Sequence, residues 1–381
     1  MSDVNNPFLI YAYAGPKYFC DRIEETEHLI SALRNGRNVT LMSPRRMGKT
    51  GLIQNVFHQI RRDYPEAACF YMDIFSTTCL DDFIIQFGQT VIGKLDNLSQ
   101  KTLAAISGFF KSCRLVFSPD VLTGVPQATL DFQPSQAQAT LKEIFDYLEH
   151  SGKECYIAID EFQQITEYPE KGVEGLLRSY IQFLPHVHFI FSGSKQHLMA
   201  EMFGSAKRPF YRSTEKMNLT SIPLEDYSLF AIRWMQAGGK DLSDELFQMI
   251  YQRFNGHTWY IQSVFYLAYY MTTDICTAEI IRNAIEKKLD DSGEIYESIL
   301  YGIPEKQRGL LKALACEGKA ERIQSGAFIK KYNLSSASSV QSAAKRLLDS
   351  DLITTENNNF YSISDRFLAM WLKRKLCLNW I

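Results

Sequence analysis

The stretch LMSPRRMGKTGLI, residues 41–53, decides how this chain is read. It opens apolar, turns on Pro44, Arg45, Arg46 and Met47, then runs through Gly48, Lys49, Thr50 and Gly51 into GLIQNVFHQIRRDY, 51–64, whose apolar spacing is helical. The run before it, NVTLMS at 38–43, is strand-like. A strand, a glycine-bearing loop, and a lysine and hydroxyl opening a helix form an arrangement that binds phosphate. The free N–H groups and positive dipole end of the helix face the anion. Gly48 lets the backbone turn close to the ligand, Lys49 reaches the β- and γ-phosphates, and the Thr50 hydroxyl is placed to ligate Mg²⁺. Ser43 stands where such loops usually carry their first glycine; a serine can hold the turn and adds a donor.

A second element supports the first. CYIAIDEFQQI, 155–165, is an apolar strand ending in Asp160 and Glu161. An acid at the end of a buried strand beside the loop suits the Mg²⁺ side of a nucleotide, and Glu161 is placed to orient an attacking water. A third, HFIFSGSKQHLM at 188–199, is another buried strand, ending in Ser192, Gly193 and Ser194, small polar groups able to sense the γ-phosphate or hold the water.

The wider chain fits this reading. ACFYMDIF (68–75), SQAQATLKEIFDYLEHSG (135–152) and VHFIFSG (187–193) continue an alternation of strands and helices, which predicts an α/β parallel sheet with helices on both faces over residues 1–220. Residues 95–135, with VFSPDVLTGVPQ at 116–127, read as an insertion or surface loop. Residues 221–302 are helical throughout, with PLEDYSLFAIRWMQAGG (223–239) showing an acidic first turn and a Gly-Gly stop. They predict an all-α lid of about four helices. Residues 303–381 give helix, helix, helix, hairpin, the order of a winged helix-turn-helix, with a serine-rich start at 335 that can cap its third helix.

Length and composition set bounds. A chain of 381 residues, 46% hydrophobic and 22% charged, is of the soluble multidomain class. Lys plus Arg number 41 against 43 Asp plus Glu, so the chain as a whole has no basic excess for non-specific nucleic-acid binding. The eight cysteines form no CxxC pair, which predicts reduced thiols in a cytoplasmic protein. The start, MSDVNNPFLIYAYAG, has no signal-peptide pattern. The most apolar later stretch, YIQSVFYLAYYM at 260–271, is too short to span a bilayer, so no membrane is expected.

SPRRMGKT (43–50), IDEFQ (159–163), FSGS (191–194) and RPFYRSTEKMNL (208–219) together resemble the archaeal-type P-loop ATPase family of the AAA+/STAND group, over nearly the whole chain. The resemblance implies ATP with Mg²⁺, slow hydrolysis, and a conformational switch in a cytoplasmic protein. It implies that Arg22, with Glu25 in FCDRIEETEHL (19–29), helps frame the adenine side, and that Arg208 or Arg212 meets the γ-phosphate in cis or from a neighbouring subunit. It also implies that Gly256-His257-Thr258 lies over the nucleotide, although the family's proline is replaced by Thr258. The winged helix then either reads DNA or acts as a regulatory and protein-docking module. Its candidate recognition helix, 336–349, carries Ser338, Ser339, Gln341, Lys345 and Arg346, and the tail WLKRK adds Trp371, Lys373, Arg374 and Lys375. The opposing reading is a nucleic-acid-binding regulator whose nucleotide site is structural or locked on ADP.

Overall fold

The structure is a computed structural model. It describes residues 5–11, 13–95, 106–119, 126–356 and 359–376. The chain packs as two compact units, one of Tyr11–Asp226 and one of Tyr227–Ile381 together with Met1–Ile10.

In the first unit the strands are β1 (Val39–Met42), β2 (Ala68–Asp73), β3 (Arg114–Pro119), β4 (Pro126–Asp131), β5 (Cys155–Asp160), β6 (Val187–Gly193) and β7 (Glu215–Asn218). Five of them form one parallel sheet in the order β2-β5-β6-β1-β7. Every residue of β1, β5 and β6 is buried. That continuous burial is what a parallel strand covered on both faces requires, and it explains why these strands read as unbroken apolar runs.

The pleat sends alternate residues to two cores. Tyr156 and Ala158 of β5 join Leu29 and Leu33 of α1 (Ile23–Arg34) and Leu52, Val56 and Phe57 of α2 (Lys49–Asp63). Cys155, Ile157 and Ile159 join the other layer, with Phe83 and Phe87 of α3 (Leu80–Val91) and Leu141 and Ile144 of the helix Ala137–His150. By the same parity Asp160 points to the α2 face.

Part of the expected insertion at 95–135 is regular structure. β3 and β4 pair as an antiparallel hairpin, Leu115 opposite Leu130, and Leu130 is buried in the core that holds α3. The many Ser, Pro and Gly residues in this stretch masked that pairing in the sequence. Residues 96–105 and 120–125 of the expected insertion lie outside the described residues.

The second unit is helical until its last third. Helices span Leu224–Ala237, Asp244–Arg253, Thr258–Met271, Ala278–Asp291 and Gly293–Gly302. The lid and winged-helix segments fall within this one unit, and residues from the start of the chain join them. Phe8, 1% exposed, stacks on Phe265 with centroids 5.5 Å apart, and Asn6 Nδ2 donates to the Tyr266 carbonyl at 2.9 Å.

The winged-helix segment contains helices Glu305–Glu317, Gly326–Lys331 and Ala337–Asp349, a three-stranded sheet of β8 (Ala320–Glu321), β10 (Phe360–Ile363) and β9 (Ile353–Glu356), and a last helix, Arg366–Lys375. Ser336 accepts from Ser339 N–H at 3.2 Å, so the serine-rich start does cap its helix. The tail differs from the basic patch read in the sequence. Trp371 is buried, Arg374 Nη2 lies 2.7 Å from Asp290 Oδ1, and Lys375 pairs with Glu297. An amphipathic helix has packed its aromatic face inward and matched its cations to acids of the preceding helices. No helix among the described residues is long and apolar enough to cross a membrane.

Candidate nucleotide site

The loop 43–50 joins the carboxyl end of β1 to α2, at the open end of a parallel sheet where ligands of such folds bind. β1 sits between β6 and β7, so the residues ending β6 flank it on one side. Two loop residues take left-handed backbone, Arg46 with φ 68° and Gly48 with φ 95°. Gly48 is the residue before α2, and a Cβ on it would meet nothing within 4 Å, so its glycine is required by backbone angle and not by crowding. Ser43 has no positive φ, which is why serine is accepted there. Its hydroxyl donates to the Pro44 carbonyl at 3.0 Å. Met47 is buried beneath the loop, while Pro44 and Arg45 are exposed. The Arg45 guanidinium stands 5.8 Å from the centre of the Phe75 ring.

Lys49 is 6% exposed. Its Nζ donates to Ser43 O at 3.2 Å, Ser43 Oγ at 3.3 Å and Pro44 O at 3.4 Å, all neutral acceptors. Burial lowers its pKa; Asp160 and Glu161 act in the opposite direction, and Arg45 adds to the lowering. Among the described residues Lys49 makes no ion pair. A buried ammonium at a helix N-terminus, without a bonded counter-ion, is a site prepared for an anion.

Asp160 ends β5. Its Oδ2 accepts from Thr50 Oγ1 at 2.9 Å and from Tyr71 OH at 2.8 Å, and its Oδ1 accepts from Glu161 N–H at 3.1 Å. The hydroxyl of Thr50 and the carboxylate of Asp160 are hard oxygen donors, the kind magnesium takes. Among the described residues no group of three or more His, Cys, Asp or Glu side chains could hold a metal alone. One hydroxyl and one carboxylate, completed by phosphate and water, is the usual magnesium set at a nucleotide. The site therefore fits Mg²⁺ only together with a phosphate ligand.

Glu161 has φ 54°. Its Oε2 accepts from Gln163 Nε2 at 2.6 Å, Ser194 Oγ at 2.7 Å and Ser194 N at 3.3 Å. The strand end therefore supplies Ser194 to this carboxylate. Ser192 is fully buried and its Oγ has no hydrogen-bond partner. A Cβ on Gly193 would fall 2.3 Å from Gln163 Oε1 and 2.6 Å from Met199 Cγ, so the close approach of β6 to these side chains requires glycine.

The other predicted residues have contacts of their own. Arg22 is 3% exposed, donates to Glu25 Oε1 at 2.7 Å and to the Thr220 carbonyl at 2.6 Å, and so ties the start of α1 to the chain after β7. Arg208 pairs with Glu174 and lies 3.4 Å from Glu201, so its guanidinium is committed to those acids. Arg212 is exposed, its guanidinium 5.1 Å from the Tyr211 ring centre. His257 belongs to the helical unit, where it precedes the helix Thr258–Met271 and packs edge-on against Tyr260. The sequence reading missed Tyr71 and Gln163. Tyr71 could have been found only by knowing that β2 lies beside β5; Gln163 is local, two residues past Glu161, but only its bond to that carboxylate reveals it.

Comparison with solved structures decides the fold. A Walker-type ATPase of Pyrococcus abyssi superposes with a TM-score of 0.65 at 17% identity, over 96% of this chain and 99% of that one. The fold is that of the archaeal Walker-type and ORC ATPases. The Aeropyrum pernix ORC2 protein in ADPNP–ADP complexes matches with a TM-score of 0.56 at 14% identity, over 97% and 98%. The A. pernix ORC1 protein in complex with DNA matches with a TM-score of 0.56 at 11% identity, over 98% and 97%. A family model described as "Probable winged helix domain" matches residues 294–374. No curated protein matches the sequence.

Proposed function

We propose that this chain is a magnesium-dependent ATPase of the AAA+/STAND type, a nucleotide switch in the cytoplasm with a winged helix for regulation or for binding DNA or a partner protein. The observation that carries the reading is Lys49: a buried cation, held among the described residues by the neutral oxygens of Ser43 and Pro44, at the N-terminus of α2. The β- and γ-phosphates of ATP would supply its missing charge, with the N–H groups of 46–50 around them. Thr50 and Asp160 would hold the ion, which when bound neutralises developing charge on the phosphates. Glu161 would orient the attacking water and take up its proton. To do so its carboxylate must give up part of its bonding to Ser194 and Gln163, since Oε2 already accepts three hydrogen bonds and has no lone pair left for the water. Ser192, buried and unbonded, is a further donor for the γ-phosphate side. Arg212, exposed and with no carboxylate partner among the described residues, suits a finger reaching a neighbouring copy better than Arg208 does. Arg22, in the same unit as the loop, would frame the base.

The second reading, a nucleic-acid-binding regulator with a structural or ADP-locked site, is favoured by the bonding of Glu161 and by the likeness to an ORC1 protein solved with DNA. Phosphate release with ATP and Mg²⁺, measured with and without duplex DNA, separates the two. Turnover that Glu161→Gln abolishes supports the switch; tight ADP binding with no turnover in either condition supports the regulator.

A further inference from the structure

The proposed function accounts for Thr50 and Glu161 around Asp160, but not for Tyr71. This residue comes from β2, an end strand of the sheet, and pairs opposite Ala158 of β5. Its side chain packs against the core beneath α2, on the same face of the sheet as Asp160. From there its hydroxyl reaches Asp160 Oδ2 at 2.8 Å, the oxygen that Thr50 also reaches at 2.9 Å.

The consequence is geometric. A carboxylate at a strand end turns about its last bond unless both oxygens are held. Oδ1 is held by the Glu161 N–H. Oδ2 is held by two hydroxyls, and one of them, Thr50, has a second task, because its lone pair is what an ion would take. The Tyr71 hydroxyl, which also lies within reach of the Thr50 hydroxyl, has no ion to serve and is left to hold the carboxylate. Asp73, two residues on, pairs opposite Asp160, and Glu161 follows, so three carboxylates crowd this sheet end. A donor fixed on Asp160 keeps its charge directed at the loop, not at its acidic neighbours.

We propose that Tyr71 is a positioning residue that fixes the Asp160 carboxylate for the magnesium ion of the bound nucleotide. This rests on the nucleotide reading of the site. Residues that orient a metal ligand typically change metal affinity 10- to 100-fold when removed, and Tyr71→Phe removes one oxygen while leaving the ring in its core.

The test uses the full chain and a fluorescent ATP analogue, titrated with Mg²⁺ and again with EDTA, with Mn²⁺ binding read by electron paramagnetic resonance. Tyr71→Phe should raise the Mg²⁺ and Mn²⁺ concentrations needed for half-saturation about tenfold or more. Affinity in EDTA and the melting temperature should stay at the parent values. In an Asp160→Asn background the same substitution should change the metal requirement no further. Equal loss of affinity with and without metal would make Tyr71 a packing residue and overturn the proposal, and so would an unchanged metal requirement in a normally folded variant. A parent chain that binds the analogue in neither condition would overturn the nucleotide reading and this proposal with it. A parent that binds only in EDTA would overturn this proposal alone.

Discussion

Replacing Lys49 by methionine keeps the length of the side chain and removes its charge. In the present structure the ammonium donates to Ser43 O, Ser43 Oγ and Pro44 O. Binding ATP exchanges these neutral contacts for charged oxygens, and a hydrogen bond to a charged group is worth about 1.5–3 kcal/mol net. Taking one such bond as lost, at the upper end of that range, gives about 3 kcal/mol, or roughly a hundredfold in Kd. Competition binding in Mg²⁺ reads this directly. The same substitution has a second signature without nucleotide. Burial lowers the Lys49 pKa from 10.5, so the fold disfavours the charged form. The resulting destabilisation is fully present at neutral pH and disappears as pH rises from the lowered folded value through 10.5, where the unfolded chain also loses its proton. Lys49→Met should therefore be at least as stable as the parent at pH 7, with an advantage that shrinks toward pH 10.5 in chemical denaturation. An ATP affinity within about threefold of the parent, less than 1 kcal/mol, would refute the assignment of Lys49 to the phosphates.

Three other outcomes are expected. Glu161→Gln should keep ATP affinity and lower turnover by about 10²–10⁴, the usual worth of a positioned acid–base group, as phosphate release would show. Gly193→Ala places a methyl 2.3 Å from Gln163 Oε1 and 2.6 Å from Met199 Cγ, and should destabilise the first unit by about 1–3 kcal/mol in denaturant melts. On the winged helix, Lys345 and Arg346 are exposed; if they contact DNA phosphates, replacing both by alanine should flatten the salt dependence of duplex binding by about two units, and parent binding that is undetectable at low salt would refute DNA contact by this face.

The readable parts of the chain were those whose evidence is local. The loop, α2 and the Asp160-Glu161 strand end lie within short stretches, and the continuous apolar runs announced a sheet covered on both sides. What stayed hidden depended on strand order or on distant partners. Tyr71 matters only because β2 lies against β5. Arg208 reads as a free arginine until Glu174 folds onto it. The tail cations read as a basic patch until Asp290 and Glu297 are seen beside Arg374 and Lys375, pairs that are exposed and worth little in stability but enough to redirect the charge. The β3–β4 hairpin, with Ser118 and Pro119 ending one strand and Pro126 opening the other, gave no clean alternation, so its pairing appears only through Leu130 and the core it joins.

The seating of Phe8 and Asn6 among the helices of the second unit makes the connectivity a closed circuit. The chain leaves that unit after Ile10, builds the sheet, and returns at Tyr227. A fragment cut to begin at Tyr227 would not be a domain with its own core intact. It would carry an empty slot beside Phe265 and Tyr269, where a full phenyl ring belongs, at a cost of about 3–5 kcal/mol. Adding residues 5–10 back as a separate peptide, or splicing them ahead of Tyr227, should restore what the cut removed. The two ends of one sequence thus share a single hydrophobic address, and any dissection of this protein into working halves has to respect it.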